Sequence, residues 1–131
     1  NEKINLIDLP GYGYAKISKV LRNNLSTIIH EYIENQINLI RTYVLIDAKI
    51  GIKNSDIDML DLLSNSDRIF SIVFTKIDKC SKSYLYDLES SIQSLMKSYN
   101  NFFSRFFFTS TKKNHGITDI RKDIYTLSKQ K

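Results

Sequence analysis

Three short polar stretches combine residue types that could recognise a flat heterocycle and a phosphate. In Thr75-Lys76-Ile77-Asp78, residues 76 and 78 point to the same side of a loop leaving a strand. Lys76 can lay its methylene stem along a planar ring, and Asp78 can accept two hydrogen bonds from adjacent N–H donors. Guanine presents such a pair at N1 and N2; adenine does not. Two charge-assisted bonds favour guanine by on the order of 10² to 10⁴, since adenine would leave the acid unpaired. Asp8-Leu9-Pro10-Gly11 follows the apolar run Ile4-Asn5-Leu6-Ile7. A carboxylate delivered to a sheet edge in this way can hold Mg²⁺ through water, and Gly11 lets its N–H approach a phosphate closely. Ser110-Thr111-Lys112 adds a hydroxyl able to orient Asp78 and a backbone N–H able to donate to the guanine O6. Taken singly, these are also a Lys-Asp turn, a strand ending in a tight turn and a cap region before a helix.

The intervening elements decide whether the stretches can meet. Ile4–Ile7, Tyr43–Ile46, Ile69–Phe74 and Phe106–Phe108 are apolar runs too short for helices and read as buried strands. Between them lie segments of helical period. The first is capped by Ser18 and has its apolar face on Leu21, Leu25, Ile28, Ile29, Tyr32, Ile33, Ile37 and Ile40. A second spans about Ser55 to Leu63, a third carries Leu85, Leu88, Ile92, Leu95, Met96 and Tyr99, and a fourth carries Ile117, Ile120, Ile124 and Leu127. Four strand–helix pairs in alternation predict an α/β fold of three layers: a mainly parallel sheet with right-handed crossovers and helices on both faces. The polar motifs then follow strands at one edge of the sheet. The Phe106–Phe108 run is expected to be core strand rather than a stacking platform.

At 131 residues, with 42% hydrophobic and 25% charged residues, one Pro and four Gly, the chain reads as one ordered domain over 1–131. One cysteine, Cys80, and two distant histidines, His30 and His115, offer neither a disulfide framework nor a Cys/His metal site, so a reducing compartment is expected. No apolar run approaches the ~18 residues of a membrane span, and Asn1-Glu2-Lys3 lacks a signal peptide's pattern. A soluble, intracellular protein is expected. The net charge of +5 permits contact with nucleic-acid phosphates, although abundant Lys, Ile and Asn also follow from AT-rich codons.

Taken together, Asp8-Leu9-Pro10-Gly11, Thr75-Lys76-Ile77-Asp78 and Ser110-Thr111-Lys112 resemble, in order and strand context, the third, fourth and fifth motifs of the Ras-like G domains. More narrowly, the run Asp8 to Lys16, the Val44-Leu45-Ile46-Asp47 strand with Asp56-x-Asp58-Met59, and Phe108-Thr109-Ser110 to Lys113 with Gly116 are similar to the EngB ribosome-biogenesis GTPases. The resemblance covers essentially the whole chain. It implies a GTPase, with GTP/GDP and Mg²⁺ as cofactors, that assists assembly of the large ribosomal subunit in the cytoplasm of a bacterium or in an organelle of bacterial ancestry. It implies that Asp8 supports Mg²⁺, that Gly11 senses the γ-phosphate, and that Thr75, Lys76, Asp78, Ser110, Thr111 and Lys112 form the base-recognition side.

One departure matters. No Gly-x-x-x-x-Gly-Lys-Ser/Thr loop occurs, the glycines being Gly11, Gly13, Gly51 and Gly116, and the family's switch I threonine would lie upstream of Asn1. The chain thus looks like the C-terminal part of a G domain, expected to be inactive in hydrolysis by itself. A competing reading is a basic α/β module that contacts the ribosome or its RNA without hydrolysing nucleotide. In the fold resembled, the strand before the phosphate loop lies between the strands ending at Asp8 and Asp47. Its absence would leave a gap of roughly 10 Å between strand axes. Either residues 4–7 shift to pair with 43–46 or a segment from another chain fills the slot by self-association; intermolecular completion or displacement of residues 1–16 is expected over a native-like Asp8–Gly11 loop, with Asp47, Asp78 and Ser110 in the arrangement usual for the fold resembled. Tyr12 follows Gly11, where many Ras-like GTPases carry a glutamine that orients water, so slow intrinsic hydrolysis is expected. The alternative is that Tyr12 and Tyr14 merely pack against the following helix.

Overall fold

The computed structural model describes residues 3–13 and 16–130. Tyr14 and Ala15, part of the Asp8–Lys16 motif, lie outside the described residues.

Seven principal elements follow one another: α1 (Lys19–Asn35), β1 (Thr42–Asp47), α2 (Asn54–Asn65), β2 (Phe70–Thr75), α3 (Lys82–Tyr99), β3 (Phe103–Phe108) and α4 (Ile117–Lys129). The helix starts obey local chemistry. The Ser18 hydroxyl accepts the Leu21 N–H at 3.2 Å, Ser81 does the same for Tyr84 at 3.2 Å, and Asp56 accepts the Lys53 N–H at 2.8 Å at the head of α2. α4 begins at Gly116, whose φ of +72° places it in the left-handed region, and a Cβ there would lie 2.1 Å from the Phe108 carbonyl oxygen.

The sheet is parallel, in the order β1-β2-β3. β1 and β2 run in register from Thr42 opposite Phe70 to Asp47 opposite Thr75. β2 is central and almost wholly buried, which is why its sequence is a continuous apolar run rather than an alternating one. On one face Val44, Ile46, Phe70, Ile72 and Phe74 pack with Ile29 and Ile33 of α1, Leu60 and Leu63 of α2 and Ile92 of α3. α4 covers the other face, where Asp123 receives Tyr43 and Arg41 of the β1 region and Leu127 is buried. The three-layer expectation is met. Phe103–Phe108 is a core strand, its rings stacked edge-on or tilted against Phe70 and Phe74.

Two expectations are corrected. The first helix ends at Asn35, where Gln36 leaves helical geometry, so Ile37 and Ile40 fall in the connector and Ile37 is 86% exposed. Residues 4–7 form no strand, leaving three strands rather than four. They do not shift onto β1 either. Leu6 and Ile7 are exposed, and residues 3–11 face β1 across a groove of about 930 Å³ that also touches Ile29, Ile33 and Leu127. The physical reason lies at the downstream end of the segment. The Tyr12 hydroxyl donates to Asp56 at 2.9 Å, and a Cβ on Gly13 would lie 2.6 Å from Ser55 Oγ, so the chain is fastened to the head of α2 before it can reach β1. Even-numbered residues of β1 direct N–H and C=O towards β2, as in Thr42 N–H to Ile69 C=O at 3.1 Å. Those of Tyr43 and Leu45 therefore face the groove.

Candidate functional site

The loops after β1, β2 and β3 converge through side-chain hydrogen bonds. At the end of β2, Lys76 takes a left-handed conformation (φ 60°, ψ 35°) and is followed by a 3₁₀ turn, Ile77–Lys79. That turn is tied to the β3 exit by the Ile77 N–H donating to the Thr109 carbonyl at 3.1 Å. Ser110, 1% exposed, exchanges two backbone hydrogen bonds with His115, at 3.0 and 2.9 Å. Its hydroxyl accepts the Lys113 N–H at 3.1 Å and donates to Asp78 Oδ1 at 2.6 Å. Because Lys113 already supplies a donor, the hydroxyl proton is directed at Asp78. This hydrogen bond, helped by the positive charges of Lys112 and Lys79, holds the exposed Asp78 carboxyl below the usual range. Asp78 is thus an oriented anion with acceptor capacity facing solvent.

Thr75 has a different position from the rest of its motif: it is half-buried, and its carbonyl accepts the Ala48 N–H at 2.9 Å. Thr111 and Lys112 are exposed in the turn after Ser110. The N–H of Ser110 is bonded to His115, so the N–H groups of Thr111 and Lys112 are the donors that loop presents.

Asp47, at the end of β1, joins the cluster through an ion pair that residue types did not announce. Its Oδ2 lies 3.1 Å from Lys76 Nζ, and its Oδ1 accepts the Lys49 N–H at 2.9 Å. Partial burial pushes its carboxyl up, but the bonds from Lys76 and Lys49 outweigh that and leave it lowered. Cys80 is raised by burial and by the nearby charges of Asp47 and Asp78, which makes it a poor nucleophile. The signal for Asp47 was a carboxylate ending an apolar run, the same signal as Asp8.

Asp8 and Gly11 are exposed on the segment bordering the groove. Among the described residues, no hydrogen bond or ion pair links them to Asp47, Lys76, Asp78 or Ser110, and no three His, Cys, Asp or Glu side chains gather to hold a metal. The Asp78 carboxylate can accept from a pair of adjacent N–H donors, and the segment beside the groove brings one carboxylate and one glycine. Tyr12 is engaged with the buried Asp56, its phenol pushed well above the usual range by burial, then by the charge and the hydrogen bond of Asp56. Sequence reasoning missed that bond, although Lys53-x-x-Asp56 has capping spacing. Among the described residues no helix is long and apolar enough to cross a membrane.

The fold is that of an incomplete G domain of the P-loop type. Translation elongation factor SelB from Methanococcus maripaludis, in its apo form, superposes with a TM-score of 0.73 at 20% identity, covering 95% of this chain and 25% of that one. The same factor bound to the GTP analogue GPPNHP gives 0.65 over 78% of this chain and 23% of that one, also at 20% identity. No family model matches the chain. It is 34% identical over 126 residues to the probable GTP-binding protein EngB of Caulobacter vibrioides, covering 96% of this chain and 55% of that protein. It is 34% identical over 120 residues to the EngB of Mycoplasmopsis synoviae (90% and 62%) and 35% identical over 125 residues to that of Brucella melitensis (95% and 52%). Over nearly its whole length the chain is thus similar to part of these EngB proteins. It spans little more than half the length of the curated relatives it matches.

Proposed function

We propose that the complete protein is a GTP-binding GTPase in which this chain selects the base, and that it assists assembly of the large ribosomal subunit by contact with that subunit or its RNA. The observation that carries the base-selection reading is the 2.6 Å hydrogen bond from buried Ser110 to Asp78. A carboxylate oriented in this way and kept ionised can accept from guanine N1–H and N2–H together, whereas a chance Lys-Asp turn needs no such support. Lys76 walls the base slot, and the Thr111 or Lys112 N–H donates to O6.

At the other end, Asp8 would help to hold Mg²⁺ and the Gly11 N–H would face the γ-phosphate. Mg²⁺, when bound, would neutralise charge on the phosphates. A phosphate cradle would be supplied by a part of the protein outside this sequence. The 131-residue chain alone is therefore proposed to bind GTP weakly and not to hydrolyse it. The groove beside β1 takes a further strand, from that part of the protein or from a second copy of this chain. The positive charge suits a ribosomal RNA partner, and a cytoplasmic or organellar location follows from the same reading.

The test is Asp78→Asn in the complete protein. Xanthine carries a 2-oxo acceptor where guanine has a donor, so the variant should exchange GTP for XTP preference. An unchanged ratio of GTP to XTP affinity would refute base selection by Asp78.

A further inference from the structure

The carboxylate of Asp47 is held from two sides. Its Oδ1 is fixed by the Lys49 backbone N–H at 2.9 Å, and its Oδ2 receives the Lys76 ammonium at 3.1 Å. The β1–β2 register places Asp47 opposite Thr75, the residue before Lys76, so the ladder itself sets where the carboxylate stands relative to the lysine backbone. Lys76 occupies left-handed backbone, a conformation that long side chains adopt only under constraint and that clusters at functional loops. The side chains differ in freedom: that of Lys76 is 56% exposed and that of Asp47 24%. The acid is the fixed partner and the lysine the one being placed.

From this arrangement we propose that Asp47 is a positioning residue for guanine-nucleotide binding. By holding the Lys76 ammonium at the end of β1, it keeps the lysine's methylene stem beside Asp78 as a wall of the base slot. The proposal rests on the base-recognition reading above, but Asp47 and Asp78 have separate tasks. Asp78 decides which base is accepted; Asp47 decides how firmly any base is clasped.

The experiment uses the complete protein with Asp47→Asn, Asp47→Glu, Lys76→Met and the Asn/Met double variant, and measures GDP, GTP and XTP affinities at low salt and at about 0.5 M salt. Asn at 47 keeps an acceptor for the Lys49 N–H and removes only the charge. It should weaken GDP and GTP alike by about two- to five-fold at low salt, the range for partly exposed pairs, with a smaller difference at high salt. The ratio of GTP to XTP should not move. Asp47→Glu should recover part of the loss, and Asp47→Asn should add nothing in the Lys76→Met background. Wild-type affinity in Asp47→Asn, or a loss that persists undiminished without the lysine, would overturn the proposal. Should Asp47→Asn fail to fold, the carboxyl titration of Asp47 by NMR decides: it must rise in Lys76→Met, and an unchanged titration overturns the pairing. A wild-type protein that binds no guanine nucleotide would instead sink the functional reading, a result distinct from a binding wild type matched by Asp47→Asn.

Discussion

Removing one oxygen from Tyr12 tests how the Asp8–Gly13 segment is held. The phenol donates at 2.9 Å to Asp56, a carboxylate 2% exposed whose other oxygen takes the Lys53 N–H at 2.8 Å. Tyr12→Phe keeps the ring and leaves Asp56 Oδ1 without its partner. A hydrogen bond to a charged group is worth about 1.5 to 3 kcal/mol, and a buried acceptor left unsatisfied costs at the upper end of that range. For a domain of this size, that corresponds to a melting temperature lower by roughly 5 to 12 °C. A pH signature separates this bond from generic packing. The folded-state pKa of Tyr12 is raised above the ordinary 10.0 by burial and by Asp56. The unfolded chain therefore loses its phenolic proton first as pH climbs past about 10, while the folded chain retains it. The contribution is fully present below pH 10 and declines above it, by at most about 1.4 kcal/mol per pH unit and by less after solvent screening of the partly exposed ring. Thermal melts from pH 8 to 11 should show the wild type losing stability faster than Tyr12→Phe at the alkaline end. Tyr99, pushed up to about 12 by burial and Asp61, contributes equally to both proteins and cancels. A variant within 0.5 kcal/mol of wild type and with the same alkaline slope would refute the bond as a fastening of this segment. The same variant bears on the proposed catalysis: because the phenol is committed to Asp56, any intrinsic GTP hydrolysis by the complete protein should survive in Tyr12→Phe. Fast turnover lost in that variant would make Tyr12 catalytic after all.

Gly116→Ala should destabilise by several kcal/mol, since the left-handed φ and a Cβ 2.1 Å from the Phe108 oxygen leave no relaxed solution; a melting temperature close to wild type would refute the geometry. Ser110→Ala should reduce guanine affinity and raise the Asp78 carboxyl titration, read by NMR, because the hydroxyl that stabilises the anion is gone. Asp123→Ala should cost about 3 kcal/mol in denaturant melts, as the largely buried Arg41 and the Tyr43 hydroxyl lose their shared acceptor. Calorimetry on the isolated 131 residues should show GTP binding weaker than micromolar, and tight Mg²⁺-dependent binding would contradict the proposed division of contacts.

Most of the framework was legible because it is local. Ser18 and Ser81 announce helix starts, the Phe70–Thr75 run announces a strand buried on both faces, and the Lys76–Asp78 and Ser110 loops follow from where those strands end. What could not be read is relational. Ile4–Ile7 has the same apolar character as Tyr43–Ile46, yet only the latter finds a neighbour with which to share hydrogen bonds. The Asp47–Lys76 pair depends on β1–β2 register, and Tyr12–Asp56 joins positions 44 residues apart. Neither follows from spacing along the chain. The end of α1 was overestimated because Ile37 and Ile40 continue an apolar period past the residue where the backbone turns.

The unequal fastening of the segment bearing Asp8 and the loop bearing Asp78 has a kinetic consequence. The loop bearing Asp78 grows from β2, the buried central strand, whose amide protons should exchange only through near-global opening. Residues 3–11, which border β1 without joining the ladder, should exchange through small local openings. If the complete protein binds nucleotide as proposed, dissociation would proceed in two stages, with the segment bearing Asp8 opening first and the loop bearing Asp78 last, and the slower stage would set how long the occupied state persists.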